Sequence, residues 1–450
     1  MPAIVALLHC CRPFVPATTL RQFSKIIFAL LAMTGRVTML GIARWAGQGG
    51  SYRTVQRFFA TALPWAPLFW VFFRQHLQRP DDVYLLAGDE VVVRKAGACT
   101  HGLDRFFAGV YGHVVPGLAF FCLALISTQE RRAFPVRIEQ VVRSAAEKTA
   151  RRTKAAAQRT PQTTAPRKAG RPKGSKNKTA ADVSLSPELQ RIQAMLQAQL
   201  KLMAGQLPLT YLLLDGHFGT HPALQMVRQC GLHLISKLRC NAALYLPYAG
   251  PYQGRGPHRK YGDKLTYHQL PASCLQTTTQ EGPIATRIFQ TQAWHKEFGQ
   301  PLNVVIIVKT NLHTQASAHV ILFSSDLTLA AAQLIDYYRL RFQIEFNFRD
   351  AKQYWGLDDF MNTTPTAVTN AANLALFMVN FAHRLLADHR RTDPAWSVLD
   401  LKAAYRGAKY VAEAIQLLPE KPDPILLTRI ASRLSALGRI HGPQPTLNSP

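Results

Sequence analysis

The sequence predicts an α/β fold in which a helical N-terminal region precedes a region that contains a sheet. Residues 18–80 carry helical patterns of apolar residues. Two β-rich apolar runs follow at 82–96 and 114–127, and we expect them to pair. Residues 207–238 then show the order strand, turn, helix, strand, which is typical of parallel sheets. With 450 residues, the chain is long enough for two or three domains.

The chain is strongly positive. It has 53 Lys and Arg residues against 26 Asp and Glu residues, a net charge of +27. Such an excess calls for a polyanionic partner, either nucleic acid or an anionic membrane surface. The longest apolar run, 114–126, is shorter than the roughly 20 residues of a spanning helix and contains Pro116. We therefore expect nucleic acid as the partner and no membrane association.

The seven cysteines are scattered, odd in number and without a CxxC pair. This pattern argues against a disulfide framework and against a zinc site. The first residues lack the basic stretch that precedes the apolar part of a signal peptide. We therefore expect the protein in a reducing cytoplasm.

A helix–turn–helix pattern occupies residues 35–60 within the predicted N-terminal DNA-binding region, 1–80. A first helix would bury Ile42 and Trp45, the GQGG stretch breaks the chain, and Ser51 can cap a second helix. The second helix would bury the apolar residues Val55, Phe58 and Phe59. Its exposed face would then carry the candidate DNA contacts Arg53, Gln56 and Arg57. The alternative is an ordinary helical hairpin.

A basic, Ala-, Thr- and Pro-rich segment spans residues 141–182. It holds 12 Lys and Arg residues, two acids and almost no large apolar residue, which predicts a disordered linker. Its stretch RKAGRPKGSKNK, 167–178, is similar to an AT-hook, in which Arg171 and Lys173 would enter a narrow minor groove. The alternative is a basic tail with nonspecific affinity for phosphate.

Two aspartates lie on the predicted sheet. Asp89 lies within the 82–96 strand, and Asp215 ends the apolar strand YLLL at the carboxyl edge, where open α/β sheets bind ligands. Glu90 is an alternative to Asp89, since neighbouring strand residues point to opposite faces. Residues 241–325 are predicted to form a β-rich insertion, and the chain is helical from 327 onward.

Four polar residues form a stripe on the predicted helix that begins near residue 327. Tyr338, Arg341, Glu345 and Lys352 fall within an arc about 60° wide, flanked by apolar side chains. A simple intrahelical Arg341–Glu345 pair is worth only ~0.3–0.5 kcal/mol and does not explain the tyrosine. A carboxylate between two cations suits a metal ion that is bound to phosphate.

Three carboxylates could therefore share one metal site. We expect Asp89, Asp215 and Glu345 to be catalytic and to bind two Mg²⁺ ions about 4 Å apart, with Mn²⁺ as a possible substitute. Arg341 and Lys352 would hold the neighbouring phosphates, and Tyr338 would donate a further hydrogen bond.

The spacing Tyr338-x2-Arg341-x3-Glu345-x6-Lys352 resembles the Y-R-E-K signature of insertion-sequence transposases of the insertion-sequence-four type. The stretches that begin at Gly88 and Leu212 are similar to the regions around that family's two catalytic aspartates. The resemblance covers roughly residues 35–380. It implies a DDE triad on a ribonuclease-H-like fold, with a β-rich insertion before the glutamate.

The resemblance also implies a function. The expected activity is metal-dependent cleavage at the inverted-repeat ends of a transposon, followed by transfer of the freed 3′-hydroxyl to target DNA. A homodimer would join two ends, in a bacterial cytoplasm and associated with the nucleoid. The alternatives are a transposase-derived DNA-binding protein without catalysis and a structure-selective nuclease of the same fold.

The predicted domain boundaries follow from these patterns. The catalytic domain is expected in three pieces, separated by the basic linker and the β-rich insertion, and is followed by a helical tail. The pieces after the N-terminal region are 81–140, 141–182 (linker), 183–240, 241–325 (insertion), 326–390 and 391–450 (tail).

Overall fold

A computed structural model of the protein describes residues 2–150, 153, 183–252, 254, 256–420 and 422–441. The described strands form one mixed sheet of twelve strands, and helices cover it, so the predicted α/β class is confirmed. The predicted AT-hook segment, with Arg171 and Lys173, lies outside the described residues. Within the described part of the chain, no helix combines the length and the apolar character needed to cross a membrane.

Five helices precede the sheet, in the region predicted to be helical. They are α1 (Pro2–Leu8), α2 (Ala17–Ala32), α3 (Met39–Ala46), α4 (Tyr52–Ala60) and α5 (Trp65–His76). The GQGG stretch forms the turn between α3 and α4, and Gly47 and Gly49 adopt φ angles of +70° and +76°, which L side chains rarely adopt. Ser51 caps α4 as expected, because its hydroxyl accepts a hydrogen bond from the Thr54 amide.

The sheet is built from antiparallel and parallel strands. The strands are β1 (Tyr84–Arg94), β2 (Asp104–Ala108), β3 (His113–Ser127), β4 (Arg132–Gln140), β5 (Tyr211–Leu213), β6 (His233–Leu238), β7 (Leu244–Pro247), β8 (Tyr261–Lys264), β9 (Leu275–Glu281), β10 (Ile284–His295), β11 (Pro301–Asn311) and β12 (Ser317–Ser324). Their order is β2-β3-β1-β5-β6-β12-β11-β10-β7-β8, with β4 on β3 and β9 on β10. The pairs β1–β5 and β5–β6 are parallel, and the expected pairing of the runs 82–96 and 114–127 is the antiparallel pair β1–β3.

Seven further helices follow in the described part of the chain, in addition to residues 145–150, which are helical although the sequence predicted a disordered linker there. They are α6 (Pro187–Met203), α7 (His221–Gln229), α8 (Ala331–Leu340), α9 (Gln343–Trp355), α10 (Pro365–His389), α11 (Val398–Gln416) and α12 (Pro424–Ala436). Helix α7 connects β5 to β6 and completes the predicted strand–helix–strand unit. The long helix α10 is buried over much of its length, which places it at the centre of the helical layer.

The N-terminal helices share a core with the rest of the chain. Asn370 on α10 accepts a hydrogen bond from Trp65 Nε1 at 2.7 Å and donates to the carbonyls of Phe59 (2.8 Å) and Thr61 (2.7 Å). The rings of Phe23 and Phe377 lie 5.2 Å apart across the same contact. The predicted limit at residue 80 therefore does not separate two hydrophobic cores.

The predicted β-rich insertion, 241–325, continues the central sheet. Its last strand, β12, pairs antiparallel with β6, so that Ser324 lies opposite Ile235. The sequence showed the β-rich composition but not this pairing, which joins strands that are distant along the chain. The stretch therefore adds strands to the existing sheet and does not form a sheet of its own.

The predicted single helix across the polar stripe is wrong. Helix α8 ends at Leu340 and α9 begins at Gln343, and the backbone between them tightens to shorter-range hydrogen bonds. The amide of Arg341 donates to the carbonyl of Tyr338 at 3.3 Å, and the amide of Glu345 donates to that of Phe342 at 3.1 Å. Tyr338 therefore lies on α8 while Glu345 lies on α9.

Candidate active site

A cleft of about 990 Å³ lies over the middle of the sheet and the N-terminal half of α9. Asp89, Asp215 and Glu345 all line it, as do Arg341 and Lys352. The structure therefore brings together three carboxylates and two cations that are up to 263 positions apart in the chain. The five residues come from four parts of the fold: Asp89 lies on β1, Asp215 and Arg341 follow β5 and α8, and Glu345 and Lys352 share α9.

The parallel pairing of β1 with β5 sets the two aspartates side by side. Ala87 lies opposite Leu213 in this pair. Asp89 follows two residues later on β1, and Asp215 follows two residues later just beyond the end of β5, so the two lie at about the same level of the sheet. Gly88 permits this packing, since a Cβ at that position would lie only 2.8 Å from the ring of Phe121.

Local hydrogen bonds fix Asp215 at the end of its strand. Its Oδ1 accepts a hydrogen bond from the His217 amide at 3.1 Å, which caps the short turn 216–218. The Ser236 hydroxyl on β6 donates to the Asp215 carbonyl at 2.7 Å. One carboxylate oxygen is thus used for the cap, and the side chain remains at the edge of the cleft.

Arg341 links the first aspartate to the glutamate. Its Nη1 donates to Asp89 Oδ2 at 2.7 Å and its Nη2 donates to Glu345 Oε1 at 3.0 Å. The guanidinium is largely buried, with 13% of its side chain exposed. Arg341 therefore stands between two of the predicted metal ligands and forms an ion pair with each of them.

Burial raises the pKa of the Asp89 carboxyl to about 6. The guanidinium of Arg341 opposes this rise, while the nearby carboxylates of Asp215 and Glu345 add to it. The ionised form of Asp89 is thus disfavoured in spite of its ion pair with Arg341. A further cation near these carboxylates would stabilise the ionised form.

The other two residues of the stripe contact the protein itself. Lys352 Nζ donates to the carbonyl of Val92 on β1 at 2.8 Å and lies 3.7 Å from Asp358 Oδ1. Tyr338 is half-buried at the end of α8, and burial raises the pKa of its hydroxyl. Lys352 lines the cleft and so can face a substrate, whereas Tyr338 is not among the lining residues.

Glu90 faces a different group of residues from Asp89. It lines the cleft beside Glu188 at the start of α6 and His217. His217 Nε2 lies 3.5 Å from Glu188 Oε2. Burial and the neighbouring Glu188 raise the pKa of Glu90 to about 7. Glu188 was not among the predicted site residues. The sequence indicated only that a helix begins near it, because Ser186 can cap that helix.

The predicted recognition residues lie away from this cleft, on α4. Arg53, Gln56 and Arg57 are exposed, while Val55, Phe58 and Phe59 are buried beneath them. The face that would meet DNA is therefore free of intramolecular packing.

The carboxylates do not form a preformed metal cage. Among the described residues, no three His, Cys, Asp or Glu side chains converge closely enough to hold one ion. The donor set nevertheless fits a hard divalent cation, because all three groups are carboxylates. Burial, and to a smaller extent the neighbouring carboxylates, raise the pKa of Asp89, so a cation there would be favourable. Arg341 would compete with such an ion, because it already donates to Asp89 Oδ2 and Glu345 Oε1.

Comparison with known proteins identifies one family. The sequence model described as DDE superfamily endonuclease matches residues 10–301, well over half of the chain. The matched range contains Asp89 and Asp215 and ends before Glu345. A search of curated proteins finds no match.

Proposed function

The chain belongs to the DDE superfamily endonucleases, and on that premise we propose that it is a DNA transposase of the insertion-sequence-four type with the Y-R-E-K signature. The proposed reaction is cleavage at transposon ends followed by strand transfer to target DNA. The observation that supports this proposal is the convergence of the three carboxylates. The parallel pairing of β1 with β5 brings Asp89 and Asp215 side by side, and Arg341 forms ion pairs with both Asp89 and Glu345.

The strand order supports a ribonuclease-H-like core. Strands β4, β3 and β1 are antiparallel neighbours, and β5 and β6 continue from β1 in parallel. In the proposed architecture, strands β7–β12 correspond to the family's β-rich insertion, although they extend the same sheet. The helices α3 and α4 provide the DNA-recognition unit.

Asp89, Asp215 and Glu345 would hold Mg²⁺, or Mn²⁺ in its place. When bound, such ions supply activation of the attacking water and charge stabilisation at the leaving oxygen. Arg341, once released from one carboxylate, can donate two parallel hydrogen bonds to a phosphate. Lys352 adds positive charge at the same wall of the cleft. These residues bind and orient the scissile strand.

The proposal is tested by cleavage of a plasmid that carries the gene with its flanking DNA. We expect Asp89→Asn, Asp215→Asn and Glu345→Gln each to reduce Mg²⁺-dependent cleavage by about 100-fold or more, as for other groups that stabilise transition-state charge. Binding of the same DNA, measured without metal, should persist.

Two control variants make this test specific. Asp336→Asn removes an acid from α8 whose partner is Arg131, at the surface, and should cleave normally. Glu90→Gln tests the neighbouring carboxylate; if it loses cleavage while Asp89→Asn retains it, the first ligand is Glu90. Cleavage that continues in EDTA would rule out the metal-dependent reaction, and DNA binding without cleavage in Mg²⁺ or Mn²⁺ would favour the catalytically inactive alternative.

A further inference from the structure

The hairpin between β2 and β3 exposes a group of apolar side chains. Val110 is 88% exposed, Phe107 62% and Tyr111 49%. All three line the same cleft as the three carboxylates. Large apolar side chains that lie together in solvent, at the wall of a polar cleft, indicate a surface that is covered by a partner.

The tip of this hairpin is well formed. Its loop is Gly109–Gly112, and the Ala108 carbonyl accepts hydrogen bonds from the amides of both Tyr111 and Gly112 at 3.0 Å. Gly112 has a φ of +65°, and nothing lies within 4 Å of a Cβ placed at either glycine. The loop is thus closed by its own hydrogen bonds, and there is open space beside both of its glycines.

Cations lie near the tip, in a cleft that also carries the candidate carboxylates. The guanidinium of Arg94 lies 5.8 Å from the centre of the Tyr111 ring. Lys352 and Arg349 line the cleft from α9. The one acid of β2, Asp104, is paired with Arg143 at 3.2 Å. Exposed apolar side chains beside cations suit a nucleic acid, whose bases have apolar faces and whose backbone is anionic.

We propose that the β2–β3 hairpin is a DNA wedge, in which Phe107, Val110 and Tyr111 contact unstacked bases of the DNA in the cleft. This inference rests on the proposed function, because it takes the cleft to be the DNA site. Aromatic side chains stack on bases of any sequence, and apolar side chains inserted at a base step hold it open. The wedge thus recognises distorted or frayed DNA and not a base sequence.

The test compares two DNA probes in metal-free buffer. One is a fully paired 20-base-pair duplex, and the other is the same duplex with its last three base pairs replaced by mismatches. We expect the wild-type chain to prefer the mismatched end. Tyr111→Ala should weaken binding of that probe by about fivefold to 150-fold, the range for loss of one stacked base, and Val110→Ala should weaken it less. Both variants should change binding of the paired probe far less.

Matched controls exclude general effects of removing a surface side chain. Tyr410→Ala and Leu417→Ala remove an exposed aromatic and an exposed aliphatic residue, 57% and 85% exposed, from the region of α11. Both should keep the preference for mismatched ends. Since Val110 and Tyr111 are exposed, their variants should melt at the wild-type temperature.

Several outcomes would overturn the proposal. It fails if the wild-type chain binds both probes equally, or if the hairpin variants keep its preference. If those variants keep the preference and also change from dimer to monomer in sedimentation, the hairpin contacts a second chain and not DNA. A wild-type chain that binds neither probe would overturn the proposed function itself.

Discussion

Arg341 is the residue on which the state of the candidate site depends. We expected it to hold phosphate, yet it donates to Asp89 and Glu345 at 2.7 and 3.0 Å. Both roles use the same planar guanidinium, which can exchange one carboxylate for a phosphate. In the metal-free protein, its charge compensates two carboxylates that would otherwise repel each other.

Replacing Arg341 should therefore destabilise the metal-free protein. We expect Arg341→Ala to lower the free energy of unfolding by roughly 1–3 kcal/mol, because it leaves partly buried carboxylates without their cation. Mg²⁺ should restore more stability to this variant than it adds to the wild type, since the ion replaces the lost charge. Thermal melting with and without Mg²⁺ measures both effects.

Arg349→Ala, on the neighbouring helix α9, provides the control. Arg349 pairs with Asp350 at the surface and is 60% exposed, so its loss should change stability little. If Arg341→Ala melts at the wild-type temperature, its ion pairs contribute no net stability and its main role is in contact with DNA.

Lys402 is a second buried cation, far from the cleft. Its Nζ donates to the Leu30 carbonyl at 2.5 Å and lies 4.9 Å from the centre of the Trp355 ring. Burial lowers the pKa of its ammonium to about 7, and Arg406 adds to this. The unfolded chain, in which the pKa is near 10.4, therefore binds more protons than the folded chain between about pH 7 and pH 10.

Stability should accordingly depend on pH through Lys402. Burial of the charged Lys402 ammonium destabilises the folded state. This destabilisation is fully present below about pH 7 and decreases as the pH rises toward 10. We expect the free energy of unfolding of the wild type, relative to Lys402→Met, to rise by up to about 1.4 kcal/mol per pH unit in this window. Denaturant unfolding of both proteins at pH 7, 8 and 9 measures it; a difference that is constant with pH contradicts the prediction.

At the scale of elements, α4 presents an exposed polar face above a buried apolar one. Thr38 caps α3 and Ser51 caps α4, and the two left-handed glycines make the turn between them. The geometry of a helical hairpin with one free face is consistent with either an ordinary hairpin or a recognition unit. Contacts with DNA distinguish the two.

Variants of that face should weaken recognition of the transposon ends. If Gln56 or Arg57 contacts a base edge, its replacement by alanine should cost roughly 1–3 kcal/mol at one base pair and relax the choice of base there. Binding to a set of end sequences with single base changes measures this. Equal losses on every sequence would assign the residue to the phosphate backbone, and no loss at all would leave α4 as a structural hairpin.

At the scale of the whole molecule, much of the positive charge lies in the basic segment. The described residues on either side of the stretch 154–182 lie close together. Ala150 and Ser186 line one cavity, and Arg191 pairs with Glu147 at 2.7 Å. The segment can therefore be shortened without pulling the sheet apart.

Shortening the segment should weaken DNA binding and reduce its dependence on salt. Replacing residues 154–182 by ten Gly and Ser residues, which span roughly 16–19 Å, removes eight Lys and Arg residues. Each phosphate contact that is lost lowers the slope of log K against log salt by about 0.9. An unchanged slope would show that the segment is not on the DNA, and a loss confined to A·T-rich probes would favour the AT-hook interpretation.

The sequence by itself determined the types of several elements and the approximate limits of a few, such as β1, β3 and α4. Period-two and helical apolar patterns, the glycine-rich turn before Ser51 and the apolar strand before Asp215 are local features, and local sterics and burial decide them. The charge of the chain and the spacing of the Y-R-E-K residues are likewise properties of the sequence alone. These features led to the α/β class and to DNA as the partner.

Only the tertiary structure decided how these elements meet. The β1–β5 register decides that Asp89 and Asp215 lie side by side. The Asp89–Arg341 ion pair joins residues 252 positions apart. The break after Leu340, the continuation of the sheet through β12 and the exposed tip around Val110 have no local signal that fixes them. The physical reason is that packing between distant segments sets register, burial and charge pairing, and local patterns leave these open.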